Sequence, residues 1–483
     1  MSPANKTIFS LHRISGTVIA LFFLMWFVTG LVLIYRGYPR LDAREARAHM
    51  ESLPATLPAP DVIPDSATDI TVRQFQGQTL LSYSVGHTDT VMSADSAAVR
   101  KVDFNTCAAV ARRWVNAPVS RVDTLRERRQ WVLYSRYERQ LPIYRFHFDD
   151  DHATQLYLAS KTAEPLQLTD RSSRFWAWMG AIPHKLYFPC IRKDVDTWKF
   201  WITLGASLCL LASLTGVYAG IYVWRKHKRA SGRWSNPFRE KWLRWHFAIG
   251  MVFAIPLVAW SVSGIFSMQR VPKWLVPMEG DYFFDYSTMW GKGTVPLADY
   301  MLDYRTLSST YPDLKQVEWG RYGGIPVYTV TSGDSETLVD ASGPHPKELV
   351  IPESEVLAGM RRLHGDKADI RIETLDHYDN LYYSVDGDSP LPVYRVTVAN
   401  ADRDLYYVDP RSGHVTYLNT NKIWRKFLFS GIHYLNLRCF AGHETIWHVC
   451  IWLVCVTGAA FCIDSVWLGV RYIRRKLTRK SKH

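Results

Sequence analysis

Four histidines stand out by type and spacing. His12, Gly16 and Gly30 recur as His246, Gly250 and Gly264 at a fixed offset of 234, on the first and third of four long apolar stretches. His184 recurs as His433 at an offset of 249, and Cys190 as Cys439 at the same offset. Imidazole is the commonest protein metal ligand. Placing it inside or at the edge of an uncharged membrane segment is costly and usually functional. Two matched pairs therefore point to ligands shared between equivalent helices.

The elements that must position these residues are legible in the apolar runs. Residues 14–35, 200–224, 245–269 and 445–463 contain no Asp, Glu, Lys or Arg. Each is long enough for the roughly 20 helical residues that cross a bilayer. The mean hydropathy of −0.13 is low only because large polar segments dilute these spans. Residues 14–35 are too long for a signal h-region, and Arg36-Gly37-Tyr38-Pro39 lacks a small-residue cleavage pattern.

Lys and Arg set the orientation. The stretches 1–13, 225–244 and 471–483 hold 17 of them against the single acid Glu240, about +16 within a chain of +13. Both termini and the middle loop are expected in the cytoplasm, and both arms outside it. The high pI of about 9.3 thus reports topology, not nucleic-acid binding.

The chain divides into a first span (1–35), an arm (36–197), a second span (198–224), a basic loop (225–243), a third span (244–269), a second arm (270–442), a fourth span (443–470) and a basic tail (471–483). The duplication reaches the arms, where Leu141-Pro142-Ile143-Tyr144-Arg145 matches Leu391-Pro392-Val393-Tyr394-Arg395. Strands are expected at 132–134, 143–146, 155–158 and 405–408, and helices at 106–115 and 352–363. The turn Asp409-Pro410-Arg411-Ser412-Gly413 follows the last of these strands. The expected fold is an α-helical membrane unit of four transmembrane helices in two pseudo-symmetric repeats, with two extracytoplasmic α+β arms.

The strand, Asp-Pro-x-Ser-Gly turn, strand pattern of the arms resembles the PepSY module. The opening Leu11-His12-Arg13-Ile14-Ser15-Gly16 resembles the PepSY-associated transmembrane family. So do the pairs Thr29-Gly30, Thr215-Gly216, Ser263-Gly264 and Thr457-Gly458, one late in each span. That resemblance covers nearly the whole chain. It implies a multi-pass protein of the bacterial inner membrane that serves iron uptake. In the better understood members, two b-type haems carry electrons from the cytoplasmic side to a periplasmic ferric siderophore and reduce Fe(III) to Fe(II).

The residues suit that reading. His12 and His246 lie at one membrane depth, and His184 and His433 near the other surface, so each pair is a candidate axial ligand set for one haem. Such bis-imidazole ligation serves electron transfer and leaves no open position on the iron. Arg13, Arg244, Lys185 and Arg438 are candidate propionate partners. His448, inside the fourth span, is an alternative outer ligand or a propionate partner. Asp464 is either an acceptor for the Nδ1–H of an inner ligand or the partner of a basic tail residue such as Arg471. Cys190 and Cys439, extracytoplasmic and repeat-matched, are expected to form a disulfide. His147, His152 and His414 have no identifiable partner in the arms.

No residue is named as acid, base or nucleophile, because one-electron reduction needs none. Siderophores bind ferric iron through hard oxygen donors, so reduction labilises the complex. The chain lacks a C-x-x-C pair and a dinucleotide fingerprint. A cytoplasmic flavoprotein or a quinol from the lipid must therefore supply the electron. Tryptophans such as Trp26, Trp260 and Trp447 either line the route between haems or form interface belts. The alternatives are a haem reductase of another periplasmic acceptor, a transporter, or a non-enzymatic ligand-binding protein.

Overall fold

A computed structural model describes residues 2–59, 63–86, 88–93 and 101–480; the last residues of the basic tail, 481–483, lie outside it. Among the described residues three helices are long and apolar enough to cross a membrane, and a bent pair counts as a fourth if it is one span. The first long helix is Pro3–Tyr35, started by a Ser2 side chain that accepts from the Asn5 N–H and by a proline in the first turn. The second is Val195–Ser231, capped by Asp194 and stopped by Gly232 at φ +74°. The fourth is Glu444–Lys480. All three extend beyond their apolar runs into charged sequence.

The third span departs from the single continuous helix expected. It is built from Lys241–Val252 and Ala254–Met268, bent by 63° at Phe253. Pro256, in the first turn of the second piece, has no N–H to give the Val252 carbonyl, and its ring crowds that carbonyl. The first long helix packs against the second and fourth; the first piece of the third packs against the fourth and the second, and its second piece against the second. Val18, Leu21, Val252, Ile255 and Leu453 face outward, each more than 60% exposed, which suits a lipid surround.

Each arm carries a four-stranded antiparallel sheet with its strands in chain order. The first runs Val119–Leu125, Ile143–Phe148, Gln155–Ala159 and Pro165–Thr169. The second runs Ile370–Leu375, Val393–Val398, Leu405–Val408 and Val415–Leu418. One helix covers each sheet. Phe104–Trp114 lays Cys107, Val110 and Ala111 on Phe146, Leu156 and Leu158, and Glu353–His364 lays Val356 and Met360 on Val396, Tyr406 and Val408. Leu141-Pro142 and Leu391-Pro392 are both cis. Residues 132–134 form no strand; Val132 and Leu133 are fully buried in an irregular segment that packs beneath the first sheet, so their β-rich composition reflects burial.

A third sheet, unforeseen in the sequence, joins the arms. Its seven strands include Thr68–Phe75, Gln78–Val85 and Thr88–Ser93 from the first arm and Leu314–Tyr322, Ile325–Ser332 and Ser335–Asp340 from the second. The two first-named strands pair edge to edge, with Thr71 opposite Glu318 and Arg73 opposite Gln316. Gly413 ends the Asp-Pro-x-Ser-Gly turn at φ +66°, and a Cβ there would collide with the Tyr322 ring.

Candidate functional site

The helices bring the four histidines into two pairs. His12 and His246 have ring centroids 6.3 Å apart with planes at 45°. His184 lies on the short helix Ala181–Lys185, and His433 two residues past the π-helical turn Phe427–Gly431. Their centroids are 6.1 Å apart, at 73°. Two imidazoles on opposite sides of one metal, each bound through about 2 Å, have ring centres roughly 6 Å apart. Both pairs have that spacing.

Every one of the four rings uses Nδ1 for a local contact. His12 Nδ1 lies 3.2 Å from the Ala212 carbonyl, which only accepts. His184 Nδ1 lies 3.2 Å from Thr29 Oγ1, His433 Nδ1 2.9 Å from Ser263 Oγ, and His246 Nδ1 3.3 Å from Ser465 Oγ. Each of these hydroxyls already donates its one proton back to its own helix, to Met25, Trp260 and Phe461 respectively. The histidine must therefore be the donor. The proton is held on Nδ1 and the lone pair left on Nε2, which has no hydrogen-bond partner among the described residues in any of the four.

This gives the Thr-Gly and Ser-Gly pairs a chemical reading the sequence did not yield. In Thr29-Gly30 the hydroxyl holds His184, and a Cβ on the glycine would lie 3.2 Å from its Cε1. Ser263 holds His433. Gly216 clears room for His12, whose Cε1 would be 2.7 Å from an added Cβ. Gly264 and Gly458 instead admit Ala206 and Phe27, as close helix packing.

Tryptophans fix the outer pair from the backbone side. Trp26 Nε1 donates to the His184 carbonyl and Trp260 Nε1 to that of Ile432, each at 3.0 Å. Trp198 and Trp447 donate to the carbonyls of the residues that follow the two histidines, Lys185 and Tyr434, at 2.6 and 2.8 Å. Leu186 and Leu435 then turn the chain at positive φ. Between the pairs, Phe27, Phe253 and Trp260 cluster at centroid distances of 5.0 to 6.3 Å. His246 stacks on Phe461 at 4.9 Å.

A cavity of about 750 Å³ surrounds the inner pair, and Gly16, Gly216 and Gly250 are in its wall. The cations at its edge are Arg13, Arg471 and Arg475; Arg471 was expected only as a partner for Asp464, and Arg475 not at all. Asp464 is 5% exposed with Oδ2 3.4 Å from His246 Nδ1, whereas Arg471 pairs with Glu240 at 2.6 Å. Of the two roles open to Asp464, the contact is with the histidine.

Other expected residues lie elsewhere. Arg244 is exposed, with its carbonyl accepting from Asn236. Arg438 is exposed and reaches the Tyr378 carbonyl. Lys185 packs over the Tyr187 ring, and burial, then the neighbouring Arg40, lower its pKa. His448 is not paired with His184; one turn before Trp452, it stacks on Tyr35, with Nδ1 3.1 Å from the phenol. His147 does have partners, Asp123 at 2.8 Å and Gln155.

The expected disulfide is absent: Cys190 and Cys439 are both free and exposed. Each belongs to its own short helix, Pro189–Arg192 or Arg438–Phe440, ahead of a different long helix. Residues matched by a sequence offset meet only where their elements face each other, as the histidines do. Among the described residues no three His, Cys, Asp or Glu side chains form a metal cluster. Each pair offers two imidazole donors, too few to hold a bare metal ion, and would suit one that arrives with its other ligands.

The family model for the PepSY-associated TM region matches residues 9–298, more than half of the chain. No curated protein matches it.

Proposed function

The chain belongs to the PepSY-associated TM family, and from that premise we propose that it is an inner-membrane, two-haem b-type conduit that reduces a periplasmic ferric chelate such as a siderophore. The observation that carries this reading is the set of four unshared Nε2 atoms, arranged as two pairs about 6 Å apart at the rings. Haem ligated by two imidazoles supplies one-electron transfer without an open iron position.

The protein's own residues do the rest. Thr29, Ser263, Ser465 and the Ala212 carbonyl hold each imidazole in the ligating tautomer. The Phe27, Phe253 and Trp260 cluster keeps water from the space between the pairs. Arg13 and Arg475 are placed to meet carboxylates at the inner cavity.

In this reading both termini are cytoplasmic, and the arms are periplasmic and receive the chelate. The matched strand order of the arms, the tryptophans at 198 and 447 and the left-handed leucines at 186 and 435 support two repeats about one axis. The electron comes from a cytoplasmic flavoprotein or from quinol.

The test is the absorption spectrum of the purified protein before and after dithionite, with a pyridine haemochrome count. About two low-spin b-type haems per chain, reoxidised by a ferric siderophore with appearance of Fe(II), support the proposal. A colourless folded protein grown with ample haem refutes it.

A further inference from the structure

The two histidine pairs have matched rings, but a carboxyl stands beside one and a guanidinium near the other. At the inner pair stands Asp464, 5% exposed. Neither of its oxygens has a hydrogen-bond partner among the described residues, and Oδ2 lies 3.4 Å from His246 Nδ1. Near the outer pair stands Arg192, 8% exposed, with Nε and Nη1 also lacking hydrogen-bond partners there. Aromatic rings hold it: its Cζ is 4.4 Å from the Trp198 centroid, 5.3 Å from Tyr134 and 5.6 Å from Tyr187. Trp198 in turn donates to the carbonyl of Lys185, the residue after His184. The guanidinium is therefore one side chain removed from the outer ligand segment.

Neighbouring charges do not cancel this contrast; Lys185, next to His184, is a further cation on the outer side. Glu127 pairs with Lys193, Glu138 with Arg128, and Asp194 caps the second long helix. At the inner cavity Arg471 is paired with Glu240. Arg13 and Arg475 are exposed, where solvent screens them.

Neither charge is required by what the repeats share. The offset that carries His184 onto His433 carries Trp198 onto Trp447 but Arg192 onto Ala441. Setting Thr457-Gly458 on Thr215-Gly216 places Asp464 on Tyr222. Each charge occurs once, beside one pair.

Building on the haem reading above, we infer that Asp464 and Arg192 set the direction of electron flow. A carboxylate near an imidazole donor raises ligand basicity and favours the oxidised metal. A buried cation favours the reduced one. One electron leaves a reduced flavin or quinol, is held less tightly at the inner pair than at the outer, and ends on the ferric ion, which becomes ferrous. No bond in the protein forms or breaks. At an effective dielectric near 20, a unit charge about 10 Å away biases such an equilibrium roughly tenfold, or 59 mV for one electron.

The test is a redox titration of the full-length protein in detergent, read from its visible bands. Each wave is assigned by its loss in His12→Ala or His184→Ala. Asp464→Asn should raise the inner potential by about 59 mV and leave the outer one in place; Arg192→Gln should lower the outer by a similar amount. Arg192→Lys and Asp464→Glu, which keep charge, should restore most of each shift. Full haem content with unmoved potentials, or shifts of the wrong sign, overturns the inference and spares the haem reading. Loss of haem in the neutral variants but normal potentials in the charge-keeping ones is settled by Arg192→Met and Asp464→Ser, whose unmoved potentials would also overturn it. A wild-type protein without haem ends both.

Discussion

The inner and outer histidine pairs reach the same ring spacing by different means. The inner rings project from long membrane helices, and their surroundings are a cavity walled by glycine and edged by basic residues. The outer rings sit on short helical pieces outside the long helices, and tryptophan N–H groups pin the backbone beside each. An inner histidine is thus placed by the geometry of the membrane bundle alone. An outer histidine is placed by an agreement between the bundle and the arms.

The largest expected effect separates the pairs outright. His12→Ala or His246→Ala should lower haem content from about two per chain to about one, and His184→Ala or His433→Ala should remove the other, as read by haemochrome assay and band position. Loss of both haems from every single variant would mean that the pairs are not independent sites. Next, Gly216→Val inserts branched carbon where a single Cβ already lies 2.7 Å from His12 Cε1. It should cut inner occupancy several-fold and leave the outer haem near full, by the same assay.

A smaller effect sharpens the contrast from the other side. Trp26→Phe and Trp260→Phe each remove one hydrogen bond at the outer pair, worth about 1 kcal/mol. Outer haem should then dissociate more readily during detergent dilution, at unchanged inner occupancy; equal loss from both sites would show that these tryptophans serve the bundle as a whole. The smallest effect lies away from both pairs. Burial works to raise the Asp123 carboxyl, but hydrogen bonds from Arg121, Arg145 and His147 outweigh it and hold it below the usual carboxylate range. Its folded value is the lower one, so the stabilisation is present above the ordinary carboxylate pKa of about 4 and fades as pH falls below it. Asp123→Asn should flatten the acid limb of thermal stability between about pH 5 and 3 with both haems retained.

The sequence disclosed what repetition and hydropathy encode. Apolar runs marked the spans, and matched offsets brought out His12 with His246 and His184 with His433 as candidates before any contact was known. What it withheld depends on which faces meet. The roles of Thr29 and Ser263 were hidden because a hydroxyl late in a membrane helix ordinarily bonds its own backbone, and only the opposed ring reveals its second contact. Arg471 and Arg475 looked like topology signals because a basic tail has no direction in sequence. Arg244 and Arg438 were chosen by proximity along the chain, which on helix ends says little about which way a long side chain leaves. The Cys190–Cys439 disulfide failed for a related reason: equivalence under a repeat is not adjacency. The break at Pro256 was legible in principle, since a proline in mid-span forfeits a backbone bond.

The seven-stranded sheet has a consequence for how the chain can be divided. Its strand order mirrors itself about the junction of Thr68–Phe75 with Leu314–Tyr322, so each half brings one edge that the other covers. Nicked in the basic segment 225–243, the protein should stay whole. The two fragments would still be laced by that ladder outside the membrane, as two halves of a clasp stay shut after the strap behind them is cut.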